Sequence, residues 1–389
     1  MHVGVFSYYY LPVINGVTIT IADWKKWGEQ NGVTFTICIP TLDKRVSKDP
    51  SVVMYPSVPI YRRIGITVPM FPNAFVEKEF AKRRIDLIHV HHPFSIGNLA
   101  LLTKKRLRVP LLFTYHTRYT DYVASYAPGF LAEMFTRSIT RRIVRFINQC
   151  DAVTAANETL RDELRRNGVR TPVSIVPPGI DTKQYSSGNR DETRKRLGIA
   201  PQDTVLLYVG RLAKEKNIYF LMHAFARIHS RVPHIRMLLT GNGFEEHALR
   251  RFVEKNGLSA RVLFATQETV KTIPGIYACA DAFLYASQTE TYGRVIVEAM
   301  SAALPIIALA GPSIVDLLRD GVTGRVLFHQ SPEAFGDAVV SVLGDITSAK
   351  FLGLRAQKEA RARYDSAVSW KQLFGVYDAM RAQFRASST

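Results

Sequence analysis

The sequence predicts an α/β chain made of two successive domains, each a parallel sheet wound on both faces by helices. Three observations lead there. Apolar runs that read as strands alternate with stretches of helical periodicity through most of the chain. The alternation breaks near the middle, at Pro177-Pro178-Gly179-Ile180-Asp181, where prolines interrupt regular structure. A length of 389 residues also exceeds what one ordinary core holds.

Hydrophobic residues make up 47% of the chain and charged residues 22%, which are globular values. No apolar run approaches the roughly 20 residues needed to cross a bilayer. The start, Met1-His2-Val3-Gly4-Val5-Phe6, reads as a strand rather than a secretion signal. Cys38, Cys150 and Cys279 are scattered in or beside apolar runs, with neither metal spacing nor a disulfide pattern, which points to a reducing compartment. The net charge of +18 implies an anionic partner. That partner is nucleic acid or an anionic membrane surface; no aromatic RNP strand, zinc finger or basic zipper is visible, so the charge has to be located along the chain before it is interpreted.

The first domain begins with a strand at 2–7, a loop, and a helix from about Val17 to Gln30. Asn15-Gly16 is a turn pair that here opens a helix; the glycine either lets a ligand approach the backbone or serves only as the entry. Thr34 to Ile39 is the second strand. Thr41 to Asn73 reads as a long irregular segment with Pro56, Pro59, Pro69 and Pro72, many apolar residues and Arg62-Arg63. A loop of this length is usually functional, and it either touches lipid or packs over the sheet. Strands at 86–90 and 111–115 end in His91-His92-Pro93-Phe94-Ser95-Ile96-Gly97 and His116-Thr117-Arg118-Tyr119-Thr120-Asp121-Tyr122. Doubly wound sheets place ligands at such strand ends. His89, His91 and His92 are not read as metal ligands, because adjacent residues of an extended segment point to opposite sides. Strands at 151–155 and 173–176 close the sheet, and Asn157 caps a helix of about 158–166.

From Phe130 to Cys150, Leu131, Phe135, Ile139, Ile143, Phe146 and Ile147 share a helical face, with Arg137, Arg141, Arg142 and Arg145 beside it. This pattern suits an anionic membrane surface and equally suits a helix covering the sheet. Lys78, Lys82, Arg83, Arg84, Lys104, Lys105, Arg106 and Arg108 add to the positive charge of this half.

The second sheet starts at 204–209. Gly210 and Arg211 follow, and Lys216 stands just before a helix that runs to about His229. Cations at that place either neutralise a pyrophosphate and stabilise it as a leaving group or stand solvated on the loop. The strand 237–240 with Gly241, and the strand 262–265 with Gln267, repeat the theme. The strand 282–285 leads into Ser287-Gln288-Thr289-Glu290-Thr291-Tyr292-Gly293 and then a helix carrying Val295, Ile296, Glu298, Ala299 and Met300. Gly293 stands at the helix start, where free N–H groups hold an anion.

The Glu290/Glu298 pair with seven residues between, the Gly-Arg and Lys-x-Lys-Asn context of Arg211 and Lys216, and Pro-x-Gly-x-Asp at the linker resemble family four retaining glycosyltransferases. The resemblance covers nearly the whole chain, less so at Thr41 to Asn73 and after Asp345. It implies the GT-B architecture, two Rossmann-like domains with an interdomain cleft. The domains would be 1–177, with 366–389 crossing back, and 178–365. It further implies a nucleotide-sugar donor held by Gly16, Gly210, Arg211, Lys216, Gly241, Gln267, Glu290, Thr291, Tyr292, Gly293 and Glu298. In this pattern Glu290 meets the sugar, Glu298 the ribose, and Arg211 with Lys216 the diphosphate. His116 would face the sugar as a hydrogen-bond partner, not as a general base. Asn15 stands where many members have glycine. His-x-Pro-Phe-Ser-x-Gly, then Thr-Tyr-His-Thr followed by Tyr119 and Tyr122, looks like the bacterial enzymes that glucosylate diacylglycerol. A lipid acceptor, a peripheral place at the cytoplasmic face of the membrane, and no metal or other cofactor are the corresponding expectations. The absence of an Asp-x-Asp motif agrees with the last. Other nucleotide sugars and phosphatidylinositol remain open as donors and acceptor.

Overall fold

The computed structural model describes residues 1–41, 49–61, 66–69, 79–119 and 129–386, with the backbone alone at 59–61, 66–69 and 129–132. The chain divides into two compact units. One comprises Met1–Gly179 and Ser366–Thr389, and the other Ile180–Asp365.

The first unit is built on a seven-stranded parallel sheet. Its strands are β1 (His2–Phe6), β2 (Thr34–Pro40), β3 (Val52–Tyr55), β6 (Leu87–Val90), β7 (Leu111–Tyr115), β8 (Ala152–Ala155) and β9 (Val173–Ile175), in the order β3-β2-β1-β6-β7-β8-β9. Every residue of β6, β7 and β8 is buried, as a sheet covered on both faces requires. One face packs Phe6, Ile88, Val90, Phe113 and Val153 against the helices Ser95–Leu107 and Gly129–Ile147. The other packs Val3, Val5, Leu87 and Leu112 against Trp24 of the helix Gly16–Gln30 and Trp370, Leu373 and Tyr377 of the helix Ser366–Ala386. The strand order reverses between β1 and β6. The loops after those strands, which lead to Gly16 and carry His91 and His92, therefore flank the sheet's switch point, where such sheets open a crevice.

The second unit carries a six-stranded sheet in the order β12-β11-β10-β13-β14-β15. Its strands are β10 (Thr204–Val209), β11 (Ile235–Thr240), β12 (Val262–Ala265), β13 (Ala282–Tyr285), β14 (Ile306–Leu309) and β15 (Arg325–Leu327), all pairing in parallel. Here the order reverses between β10 and β13. This sets the loop Gly210–Lys216 beside the loop Ser287–Gly293.

The segment Thr41 to Asn73 differs from its sequence reading where it is described. Val52–Tyr55 forms β3 on the edge of the first sheet, and β4 (Ser57–Tyr61) pairs antiparallel with β5 (Ile66–Pro69). Pro59 lies within β4, paired with Thr67 beside a register shift, and Pro72 lies outside the described residues; the other two prolines sit at strand ends. Pro56 separates β3 from β4, and Pro69 closes the hairpin opposite Ser57. Arg62, Arg63, Phe71 and Phe75 lie outside the described residues.

Candidate active site

In the second unit the sheet's switch point gathers Arg211, Lys216 and Glu290. Lys216 closes a single 3₁₀ turn, Lys214–Lys216, and Asn217 with φ 53° turns the chain into the helix Ile218–Ile228. The Lys216 ammonium is paired with Glu290 Oε1, and both side chains are largely buried. Burial alone would raise the Glu290 carboxyl. The Lys216 charge, the neighbouring Tyr285 hydroxyl and the Arg211 charge outweigh it and hold the carboxyl below its usual range. Glu290 is thus a fixed anion at neutral pH. Its loop is pinned by the buried Ser313, whose Oγ lies 2.6 Å from the Glu290 carbonyl and 2.9 Å from that of Thr291.

The glycines of this region have distinct causes. Gly293, at φ +82°, forms the left-handed entry to the helix Arg294–Ser301. Gly241, at φ +117°, lies so close to the preceding loop that a Cβ on it would sit 2.2 Å from the Gly210 carbonyl oxygen. Packing of one loop on the other is enough to require glycine at 241. The same loops are joined by Leu212 N donating to the Asn242 carbonyl. Gln267 is exposed beyond the end of β12.

Glu298 is buried one helix further on, and both its oxygens are engaged. Oε2 accepts from Tyr277 Oη at 2.7 Å, and Oε1 from Arg294 Nε at 3.1 Å. A ribose there would share this carboxylate with Arg294 and Tyr277. Tyr292 is also buried, its ring edge-on to Tyr364 and its hydroxyl without a hydrogen-bond partner. Its side chain belongs to the packing of the loop.

In the first unit, Asn15 caps the helix Gly16–Gln30. Its side chain accepts from Thr18 N, and Thr18 Oγ1 accepts from Asn15 N. The cap is sufficient reason for asparagine where many family members have glycine. A Cβ on Gly16 would meet nothing within 4 Å, so no described residue crowds that backbone.

His116 Nε2 shares a hydrogen bond of 2.7 Å with His91 Nδ1, and the two rings stack at 5.0 Å. His89 lies on the same side, bonded to Tyr377 Oη and Thr114 Oγ1, under Trp24. His92 turns the other way and accepts from Tyr8 N. Burial drives all four imidazoles down, His92 and His116 to about 3, so they are neutral at physiological pH. Among the described residues no group of three or more His, Cys, Asp or Glu is arranged to hold a metal ion.

The helix Gly129–Ile147 divides its apolar face. Ile143, Phe146 and Ile147 are core residues and Ile139 packs against them, so this part covers the sheet and is not a lipid face. Met134 and Phe135 are exposed, Leu131 lies outside the side chains described, and Arg141, Arg142 and Arg145 are exposed without an ion-pair partner among the described residues. Arg137 is paired with Glu133. Arg142 and Arg145, with Phe94, Asn98 and Phe146, line a cavity of about 440 Å³. Tyr119 packs edge-on against Phe94, and Tyr122 lies outside the described residues, as does Lys78. Part of the remaining charge is employed locally: Arg83 pairs with Glu79 and Lys104 with Asp151. Lys104, Lys105 and Arg106 also occupy the last turn of a helix, where cations suit the dipole.

Sequence reasoning missed Glu215, Tyr285, Ser313, Tyr277 and His91 as neighbours of these groups. Glu215 had a signal, four residues after Arg211. Ser313 had none, because only the fold brings it to the Glu290 loop.

Two family models match the chain: glycosyltransferase family 4 over residues 14–184 and glycosyl transferases group 1 over residues 189–359. An alpha-monoglucosyldiacylglycerol synthase of Acholeplasma laidlawii is 30% identical over 347 residues, 86% of either chain. A D-inositol 3-phosphate glycosyltransferase of Nocardia farcinica is 30% identical over 311 residues, 78% of this chain and 68% of the relative. Among solved structures, sucrose-phosphate synthase of Thermosynechococcus elongatus superposes with TM-score 0.82 at 20% identity, covering 98% of this chain and 99% of that one. An Anabaena protein, HepE, in complex with UDP-glucose gives TM-score 0.77 at 20% identity, with 97% and 100% covered. Two parallel-sheet units of GT-B fold, matched along almost their whole length, identify this protein as a member of glycosyltransferase family four.

Proposed function

We propose that this glycosyltransferase moves glucose from UDP-glucose to the primary hydroxyl of diacylglycerol at an anionic membrane surface, with retention at the sugar carbon. The observation that carries the reading is the Lys216–Glu290 ion pair beside Arg211 at the switch point of the second sheet. It offers two cations to a diphosphate and one ionised carboxylate to a sugar. Glucosyl transfer to diacylglycerol is supported by the name of the Acholeplasma relative and of one from Streptococcus pneumoniae, 28% identical over 363 residues.

In the step proposed, the bond from sugar C1 to the β-phosphate oxygen breaks and a bond from C1 to the acceptor oxygen forms on the same face. The acceptor proton passes to the departing phosphate oxygen, and UDP leaves. Arg211 and Lys216 take up the charge that gathers on the diphosphate, in place of a metal ion. Glu290 positions the sugar through its hydroxyls and forms no covalent bond to it. Neutral His116 offers one hydrogen bond to the sugar. Arg141, Arg142 and Arg145 hold the protein at anionic lipid.

The test is a thin-layer assay with diacylglycerol in phosphatidylglycerol-containing vesicles and a panel of labelled nucleotide sugars. An α-linked glucolipid made only from UDP-glucose is the expected product. A β-linked product would overturn retention, and transfer from a different donor would overturn glucose. The inositol phosphate relatives motivate a second reading, transfer to an inositol phosphate. The same assay with that acceptor and no vesicles decides between the two.

A further inference from the structure

Glu215 occupies the middle of the 3₁₀ turn that ends in Lys216. Its side chain is only 6% exposed. Oε1 lies 2.9 Å from Arg211 Nη2, yet neither carboxylate oxygen has a hydrogen-bond partner of good geometry. A buried carboxylate in this state is a burden on the fold. Taking a carboxylate out of water costs more than an imperfect pair with a half-exposed guanidinium returns, and a neutral residue of the same shape is often as stable or more so. Its presence therefore calls for a cause other than stability.

The two cations of the site are held differently. Lys216 is 14% exposed and enclosed with Glu290, whereas Arg211 is 53% exposed. An arginine so exposed has many rotamers to lose before it meets a ligand. Its backbone is fixed, because Tyr208 Oη donates to the Arg211 carbonyl at 2.9 Å. Glu215 is fixed too, because the buried Ser287 Oγ donates to its carbonyl at 3.3 Å. A rigid carboxylate thus faces a guanidinium on a long side chain. With five N–H donors, a guanidinium can serve a carboxylate and a phosphate together.

We propose that Glu215 is a positioning residue that holds the Arg211 guanidinium where the diphosphate of the nucleotide will lie. The proposal rests on the reading of Arg211 as a diphosphate ligand. It also predicts a sign. By charge alone, deleting an anion beside an anion site tightens binding; if Glu215 positions Arg211, deleting it weakens binding.

The experiment measures UDP affinity by calorimetry and the thermal midpoint for the full chain and for Glu215→Gln, Glu215→Asp, Arg211→Ala and the double variant Arg211→Ala/Glu215→Gln. Glu215→Gln is expected to fold with an unchanged or higher midpoint and to bind UDP about 3- to 10-fold more weakly, the cost of ordering one long side chain. Glu215→Asp, charged but one methylene short, should weaken binding likewise. In the Arg211→Ala background the Glu215→Gln change should alter affinity by less than about 2-fold, because its partner is gone. Equal or tighter UDP binding by a folded Glu215→Gln overturns the proposal, as does an undiminished loss in the Arg211→Ala background. Failure of both Glu215 variants to fold overturns it in favour of a structural carboxylate. Unchanged affinity in Arg211→Ala strikes the diphosphate role of Arg211 first, and the positioning role falls with it.

Discussion

Arg211 and Lys216 differ in how much of the fold depends on them. Arg211 is half-exposed and its removal leaves no cavity, but it strands the buried Glu215 carboxylate, so Arg211→Ala should fold with a lower thermal midpoint that Glu215→Gln in the same chain restores. Turnover should fall by about 10²- to 10³-fold, the range for losing a donor aimed at developing charge. A folded variant with wild-type turnover would refute the role. Lys216→Ala is expected to damage both properties, because it leaves the buried Glu290 carboxylate unpaired. The four neutral imidazoles, three of them buried and His116 half-buried, carry a second consequence. Their folded-state pKa values lie below the unfolded value near 6.5, so on acidification the unfolded chain takes up protons that the folded chain refuses. Stability from this source is complete above pH 6.5 and is lost as pH falls toward 3, at up to about 1.4 kcal/mol per pH unit for each imidazole. The thermal midpoint should therefore drop between pH 7 and pH 5, a range above most carboxylate titrations. A flat profile over that range would contradict neutral burial of these rings.

At the scale of elements, the helix Gly129–Ile147 shows where a periodic pattern stops being informative. The sequence places an apolar stripe beside arginines, and both a membrane helix and a sheet-covering helix fit it. The fold assigns Ile143, Phe146 and Ile147 to the core and leaves Met134 and Phe135 outside. Contacts such as those of Phe146 with Phe113 of β7 and with Gly97 of the helix Ser95–Leu107 make that assignment, and they are remote in sequence. Exchanging Arg141, Arg142 and Arg145 for glutamate touches exposed side chains alone, so folding should persist. Each basic residue near an anionic bilayer is worth about 1 kcal/mol, so binding to phosphatidylglycerol vesicles should fall by at least about 100-fold in co-sedimentation at low salt. Undiminished vesicle binding would move the membrane contact elsewhere. Most strands of both sheets were legible because buried parallel strands are continuous apolar runs, but the three-residue edge strand β15, with Arg325 exposed, gave no such run. The edge strand β3 and the β4–β5 hairpin were not legible either, because their prolines resemble loop punctuation. The Glu290 and Arg211 loops were legible by type and place, and Arg294 carried an overlooked signal four residues before Glu298 on the same helix, but the Tyr277 partner of Glu298 was not legible, since it depends on helix packing.

At the scale of the molecule, the second unit is an insertion in the first. The chain leaves the first unit at Gly179 and returns at Ser366. The returning helix brings Trp370, Leu373, Tyr377 and Met380 into the core, and Tyr377 bonds His89. Ser369 Oγ, which accepts from Trp24 Nε1, donates to the Pro177 carbonyl. Deleting residues 366–386 should thus abolish cooperative unfolding of the first unit while the second, with its own core, still melts as a unit. Calorimetry of the truncated chain would check this, and a retained first transition would contradict it.

The same return helix makes the order of synthesis matter. While the second unit is being translated, one face of the first sheet is covered only by the helix Gly16–Gln30, and Val3, Val5, Phe35 and Leu112 still lack the Trp370, Leu373 and Tyr377 side of their cluster. At translation rates of about 5 to 20 residues per second this wait lasts roughly 10 to 40 s. Such a nascent chain exposes part of an apolar sheet face long enough to be bound by a holdase or to pair with another nascent chain. The half of the protein made first is therefore the half finished last, and the yield of active enzyme should respond to chaperone supply and translation speed more than its final stability suggests.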